Sequence, residues 1–595
     1  MKIILHLAIL IMTINTVKAQ PFNPQLSVML QDTLDACVAG ITNVKGMSAG
    51  VYVPGQGIWQ GTSGVSYSGC PVSEDMKFGI ASNTKLFVAT AMLILAEDNL
   101  LSMDDSLQRW LPVYPNIDPH ITIRQLLNHT SGISEPLSVS PWMDTIMNNP
   151  TRVFTPDEVL GWVGAPLFMP GTGWGYSNIN YILAGMVAES ATGIHISQII
   201  RDSIMTPLNL YNTFYDVEEP EIDTVAHRWY NNVDYSDTSR VGLNTAGGCA
   251  GALFSSSADM VNWYNALMNG QILDSASFAE LTDFIAGPAS YTYGLGLENQ
   301  SFFGHTTWGH GGSTWGYKSR MVYDPCMGIT VCGLANSFPA GMDGITLLLF
   351  RVLVNHLPGC GVTITGPSGV CRGDSLVTYT VSEITNATSY HWSLPEGVTG
   401  TSITNIITVS FGPSAVSGDI VVKGVNIYGE GAAATGTVTV NPMPEPPVVT
   451  QNNNDLVSNA PAGNQWYDAY GLISGAVNQV YTPVANGDYY TIVTLTGCSS
   501  EPSNMVNFNL TGLSRMEDAL PVVAYPNPFN EALIIEPGGC GEKTSIEMIN
   551  SSGQVVYKGL LTGRVLVPTA DLRSGVYHIN AVSGRSFKVI KIIKE

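Results

Sequence analysis

The chain has 595 residues, enough for roughly three to five domains. Acidic residues outnumber basic ones 47 to 25, giving a formal charge of −22. Such a chain is repelled by phosphate backbones and by anionic headgroups, which excludes nucleic acid and acidic membrane surfaces as expected partners.

The N-terminal stretch MKIILHLAILIMTINTVKAQ combines a positive Lys2, a mostly apolar run over residues 3–14 and a small-x-small Val17-Lys18-Ala19. This pattern predicts a secretory signal peptide over residues 1–19. The run is too short to span a bilayer, and no later segment offers about 20 clean apolar residues, so no membrane span is expected. Over residues 22–357 helical and strand patterns alternate. TKLFVATAMLILAEDNL, IRQLLNH, NYILAGMVAESATG and SADMVNWYNALMNGQIL have helical periodicity, whereas SRMVYDP and GITVCGLANS read as antiparallel strands around a Pro-Cys-Met-Gly turn. One large α/β domain is predicted there.

Beyond residue 360 the pattern is short strands and turns. Residues 360–441 predict a β sandwich, PMPEPP a stiff linker, residues 447–510 a second β module and residues 518–595 a third. Trp392 and Trp466 fall in mid-strand and are expected in module cores. The CRGDS stretch holds an adhesion-type tripeptide but reads as a turn entering a strand. The nine cysteines fit no zinc spacing, and no metal or other cofactor is expected. Cys326 with Cys332 and Cys360 with Cys371 are local pairs that the spacing allows; connectivity is not fixed by spacing.

One feature of the first domain points to chemistry. Ser82 opens the apolar helical stretch, and Lys85 follows three places later on the same face. No other lysine of the chain has a serine three places before it. A serine hydroxyl needs a base, and a lysine serves as one when burial lowers its pKa. The bland alternative is a capping serine with a snorkelling lysine. Tyr176, followed by Asn178 between a Pro170-Gly171 loop and a helix, offers a phenol proton shuttle and an orienting amide; Tyr230 is the runner-up. His310 opens the chain's one His-x-Gly, where Gly311 and Gly312 permit close backbone approach and Ser313 offers an N–H. His310 is a candidate for binding a substrate carboxylate or assisting proton transfer.

The ordered set Ser82-x-x-Lys85, Tyr176-x-Asn178, His310-x-Gly312 resembles the serine β-lactamase and penicillin-binding-protein superfamily. Within it the chain is most similar to the branch of class C β-lactamases, D-alanyl-D-alanine carboxypeptidases, D-aminopeptidases and esterases. IRQLLNHTSGI, MPGTGWGYSNINY, SSSADMVNWYNALMNG and YGLGL support the likeness. The resemblance implies an antiparallel sheet with a helical lobe and an active site between them. It implies Ser82 as nucleophile, Lys85 and Tyr176 in proton transfer, Asn178, His310, Gly312 and Ser313 around the substrate, and the N–H groups of Ser82 and Ser313 as oxyanion donors. His129 in LLNHTSG matches a recurring position and is read as structural. Class C β-lactamases usually carry Lys-Thr-Gly where this chain has His310-Gly311-Gly312, which favours the peptidase and esterase members.

The tail, with AYPNPFN, GQVVYKG, LRSGVYHI and basic Lys588, Lys591 and Lys594, is similar to the C-terminal sorting domain of type IX secretion; the middle modules resemble immunoglobulin-like or PKD-like spacers. Together these predict a multidomain protein, β-lactamase-like α/β followed by three small all-β modules. The expected protein is a serine hydrolase secreted or held at the surface of a Gram-negative bacterium, acting on a small peptide or ester and handled by the type IX machinery. The alternatives are a β-lactamase, or an inactive surface protein for binding or adhesion.

Overall fold

The computed structural model describes residues 21–41, 43–222, 224–288, 290–339, 341–510, 520–537, 543–583 and 586–595. The expected signal peptide and Cys540 lie outside the described residues. The chain forms two compact units, Met1–Asn441 and Pro442–Glu595.

The first unit is organised on a nine-stranded sheet. Its centre runs Gly57–Tyr67, Gly46–Val53, Ile329–Ala335, Tyr317–Asp324, His305–Thr314 and Glu298–Phe302, each antiparallel to the next. Ile329–Ala335 is buried at every position, as a strand covered on both faces must be. On one face lie the helices Pro24–Gly40 and Met342–His356. The first buries Leu26, Leu30 and Leu34 at a spacing of four, and with Ile345, Leu349 and Leu353 they cover Met47, Val51 and Val331.

The other face carries the helical lobe. Helix Ser257–Met268 lies close enough to the sheet that a Cβ on Gly50 would sit 2.7 Å from the Ser257 carbonyl oxygen. Helices Thr84–Glu97 and Ile179–Thr192 share one core with it. Thr84–Glu97 is buried almost all round, which explains why its sequence is apolar on every face rather than amphipathic. The expected antiparallel sheet with a helical lobe is therefore the architecture found.

The turn between Tyr317–Asp324 and Ile329–Ala335 is the Pro325–Gly328 segment. Asp324 Oδ1 accepts from the N–H groups of Cys326 and Met327, and Gly328 takes φ +68°. Neither local cysteine pair forms as the spacing allowed. Cys326 at the hairpin tip bonds Cys360 across a separation of 34 residues, because the chain leaving Met342–His356 returns to that tip. Cys332 points into the sheet interior and is a buried free thiol. Closing a loop of this length restricts the unfolded chain, so the Cys326→Ser/Cys360→Ser variant is expected to lose about 2–4 kcal/mol of stability. Thermal unfolding of this variant beside wild type measures the loss; an unchanged midpoint contradicts it.

The first β module packs Tyr379, Ile407, Phe411 and Ile420 between a four-stranded and a three-stranded sheet. Trp392 is half-buried against that core, its Nε1 donating to the Thr404 carbonyl, whereas the expectation had put it inside. The module is tied to the preceding helix: Asn386 and Asn426 side-chain amides donate to the Leu357 and His356 carbonyls. In the second unit Trp466 is fully buried with Leu456 and Phe508. The tail packs Leu533 and Ile535 from one sheet with Met548 and Ile579 from another. The three all-β modules follow the α/β domain in the expected order. No described helix is long and apolar enough to cross a membrane.

Candidate active site

The segment before helix Thr84–Glu97 turns sharply. Ala81 is held at φ +49°, a left-handed conformation that costs a residue with a Cβ about 1–2 kcal/mol. A short 3-10 turn, Ala81–Asn83, then leads into the helix. Ser82 thus sits in the first turn, where backbone N–H groups lack intrahelical acceptors. The turn is fastened to the sheet: Asn83 Nδ2 donates to Ser319 Oγ at 2.8 Å, and Ser319 Oγ donates to the Ile80 carbonyl at 2.6 Å. A Cβ on Gly312 would lie 2.2 Å from both the Ile80 oxygen and Ser319 Oγ. Glycine there lets strand His305–Thr314 abut the turn, so that Ser313 and Ser82 line the same pocket.

Lys85 is completely buried. Its Nζ lies 2.7 Å from Asn178 Oδ1, 2.7 Å from the Ala250 carbonyl and 3.1 Å from Ser82 Oγ. Burial lowers its pKa to about 7, opposed in part by the negative charge of Glu135. Nζ can donate to all three oxygens as an ammonium; when it is neutral, the two closer carbonyl oxygens keep its two N–H donors and the lone pair is left for Ser82 Oγ.

Tyr176 donates its hydroxyl proton to Ser82 Oγ at 2.9 Å. Burial pushes its pKa up, far above the ordinary phenol value, so the group is a phenol at every physiological pH. Ser82 Oγ therefore accepts from Tyr176 and lies 3.1 Å from Lys85 Nζ. Asn178 stands at the N-terminus of helix Ile179–Thr192 without a side-chain capping bond, and its backbone N–H donates to Glu135 Oε2. Glu135 Oε1 also accepts from Leu137 N–H at 2.7 Å. Glu135 and the Ala250 carbonyl were not anticipated. Glu135 is a lone acid in an aperiodic loop, and a carbonyl carries no side-chain signal at all.

His310 is placed differently from the expectation. Its ring is 2% exposed and lies outside the pocket lining. Nδ1–H donates to the Gly311 carbonyl at 2.6 Å, and Nε2 accepts from the Tyr293 hydroxyl at 2.9 Å. Burial, with Lys85 nearby, lowers its pKa to about 3. A neutral ring with both nitrogens engaged has nothing to offer a substrate carboxylate. His129 is fully buried; its Nδ1 accepts from Asn180 Nδ2 at 2.9 Å, and its ring packs 4.4 Å from that of Tyr176. Both histidines brace the tyrosine. The runner-up Tyr230 lies on the pocket wall, stacked on Trp315 at 3.7 Å, and has no hydrogen bond to Ser82.

The pocket that opens over Ser82 holds about 420 Å³ and is bordered by Asn178 and Ser313. A buried amine beside a serine hydroxyl, a phenol on the same oxygen and a serine in the first helical turn are the residue types that nucleophilic acyl transfer uses.

Residues 34–355 match the β-lactamase family model, residues 358–440 a PKD-like domain and residues 523–595 a secretion-system C-terminal sorting domain. Penicillin-binding protein 4* of Bacillus subtilis (strain 168) is 27% identical over 271 residues, 42% of this chain and 59% of that protein. Esterase EstB of Burkholderia gladioli is 35% identical over 172 residues, 26% of this chain and 42% of the esterase. The chain thus spans less than two thirds of either relative. The D-amino acid amidase of Ochrobactrum anthropi SV3, solved with L-phenylalanine, superposes with a TM-score of 0.51 at 27% identity, over 56% of this chain and 99% of the amidase. With more than half of its length inside the matched model, the chain belongs to the β-lactamase family and carries a PKD-like module and a secretion sorting domain behind it.

Proposed function

We propose that the protein is a secreted serine hydrolase that forms an acyl-enzyme on Ser82 and cleaves an amide or ester bond in a small molecule. D-amino-acid peptides are the preferred substrates, with esters next. The arrangement around Lys85 carries the reading: a buried Nζ lies 2.7 Å from two carbonyl oxygens and 3.1 Å from Ser82 Oγ, so the neutral amine keeps its N–H donors on the carbonyls and has its lone pair for Ser82. Lys85 accepts the Ser82 proton as the oxygen bonds to the substrate carbonyl carbon. The oxyanion is held by the N–H groups of Ser82 and Ser313. The proton then returns through the Tyr176 hydroxyl to the leaving nitrogen or oxygen as its bond to carbon breaks. Water, deprotonated along the same route, releases the acid and regenerates Ser82. Likeness to an amidase, an esterase and a penicillin-binding protein supports amides and esters as the bond class. Delivery by type IX secretion to a Gram-negative cell surface belongs to the same reading and rests on the sorting domain.

The test is intact-mass spectrometry after brief incubation with an activated ester or a penicillin, beside Ser82→Ala. Wild type is expected to gain one acyl group and the variant none, a loss of about a millionfold in acylation rate. Labelling of Ser82→Ala ends the assignment. Rapid penicillin hydrolysis points instead to a β-lactamase, and an unlabelled wild type to a binding protein.

A further inference from the structure

The pocket over Ser82 is lined without a single charged side chain. Leu137, Met143, Ile146 and Leu243 form one wall. Tyr230, Trp315 and Phe338 form another: Tyr230 stacks on Trp315 at 3.7 Å, 11° from parallel, and on Phe338 at 5.8 Å. Lys85 lies buried behind Ser82, outside the lining, and the cations of the adjoining elements are engaged with other partners. Arg228 donates to the carbonyls of Tyr235, Thr238 and Ser239. Arg240 bridges Asp216 and Glu221, Arg320 pairs with Glu298 at 3.0 Å, and Lys318 pairs with Asp343 at 2.7 Å. His310, the group expected to meet a carboxylate, is turned away from the pocket.

We infer that the site takes amides and esters that are uncharged next to the scissile bond and carry a flat apolar group seated on the Trp315–Tyr230–Phe338 wall, and that it rejects free C-terminal carboxylates. This deepens the acyl-enzyme reading and rests on it. A carboxylate entering this pocket loses its water and meets no charged side chain in the lining, whereas an aromatic group gains buried apolar area and ring contacts. The enzyme accordingly acts as an amidase, esterase or endopeptidase rather than as a carboxypeptidase.

The test compares matched substrates on the full chain: N-acetyl-D-Ala-D-Phe with a free carboxylate against its C-terminal amide, and p-nitrophenyl phenylacetate against p-nitrophenyl acetate. The amide is expected to be cleaved at its peptide bond about tenfold or more faster in kcat/KM than the acid, the range expected when a buried polar group is left unpaired. Trp315→Ala is expected to lower the phenylacetate-to-acetate ratio at least about fivefold, the worth of one lost aromatic contact. Because a large-to-small change risks the fold, Met143→Arg supplies the converse. A cation placed in the pocket is expected to shift the acid-to-amide ratio upward about tenfold, as one charge-assisted hydrogen bond would. Equal or faster cleavage of the free acid by wild type overturns the inference, as does an acid-to-amide ratio that Met143→Arg leaves unmoved. Intact-mass detection of acyl-Ser82 with the p-nitrophenyl esters separates the two levels. No acyl group at all sinks the hydrolase reading, whereas acylation with the reversed preference sinks only the inference.

Discussion

Replacing Lys85 with methionine is expected to slow acylation of Ser82 by about 10²–10⁴-fold, the usual worth of a positioned general base. The wild-type pH profile carries the more specific expectation. The reactive form has Lys85 neutral, and burial sets its pKa to about 7. Acylation should therefore rise with pH through about 7 and then level off. Tyr176 adds no descending limb below pH 10, since burial holds its pKa far above that range. The acylation rate measured across pH 5–10 tests this. A flat profile, or a midpoint near the ordinary lysine value of 10.5, would show that Lys85 is not the base.

The same burial has a stability consequence of definite sign. In the folded chain Lys85 loses its proton near pH 7, in the unfolded chain near 10.5. Between those values the unfolded state binds more protons, so stability rises with pH across that window. The cost of burying the charge is full below pH 7 and is relieved by about 1.4 kcal/mol for each pH unit above it. Lys85→Met has no such cost. The stability of wild type relative to this variant should therefore climb between pH 7 and 10.5 and stay level below 7. Melting curves of both proteins across that range decide the matter, and parallel curves refute it.

Gly312→Ala is expected to cost about 1–3 kcal/mol of stability, as overpacking of a tight core does. Its acylation rate should fall about 10²–10³-fold, the worth of one oxyanion donor. The added methyl would meet the Ile80 oxygen and Ser319 Oγ at 2.2 Å, so either the serine turn or the strand carrying Ser313 must move. Those two atoms are also hydrogen-bonded to each other, so the link that fastens the turn is disturbed as well. The neighbouring Gly311→Ala is the control. Its methyl would meet only the Arg320 side chain, Nη1 at 3.2 Å and Cδ at 4.0 Å, far looser than the two contacts at Gly312. Comparable loss in both variants would mean that the close approach at Gly312 has no special role.

Much of the architecture was legible without coordinates because it is written locally. The helices Thr84–Glu97, Ile179–Thr192 and Ser257–Met268 follow from apolar stretches of helical length, free of proline and bounded by polar or glycine residues. The antiparallel pair Tyr317–Asp324 and Ile329–Ala335 follows from two apolar runs around a glycine turn. Ser82 and Lys85 meet because residues three apart on a helical path share a face, whatever the rest of the chain does.

Other features arise only when distant segments meet. The sequence by itself determined which elements form, their order and the serine–lysine pair, since each depends on neighbours within a turn or a strand. Tertiary structure decided that Lys85 is enclosed by Asn178 and Ala250, from 93 and 165 residues away, and that burial lowers its pKa. It decided that His310 faces Tyr293 rather than substrate and that Cys326 reaches Cys360. It also built the aromatic wall from Tyr230, Trp315 and Phe338. Burial and charge pairing are properties of the packed chain, and no local pattern encodes them.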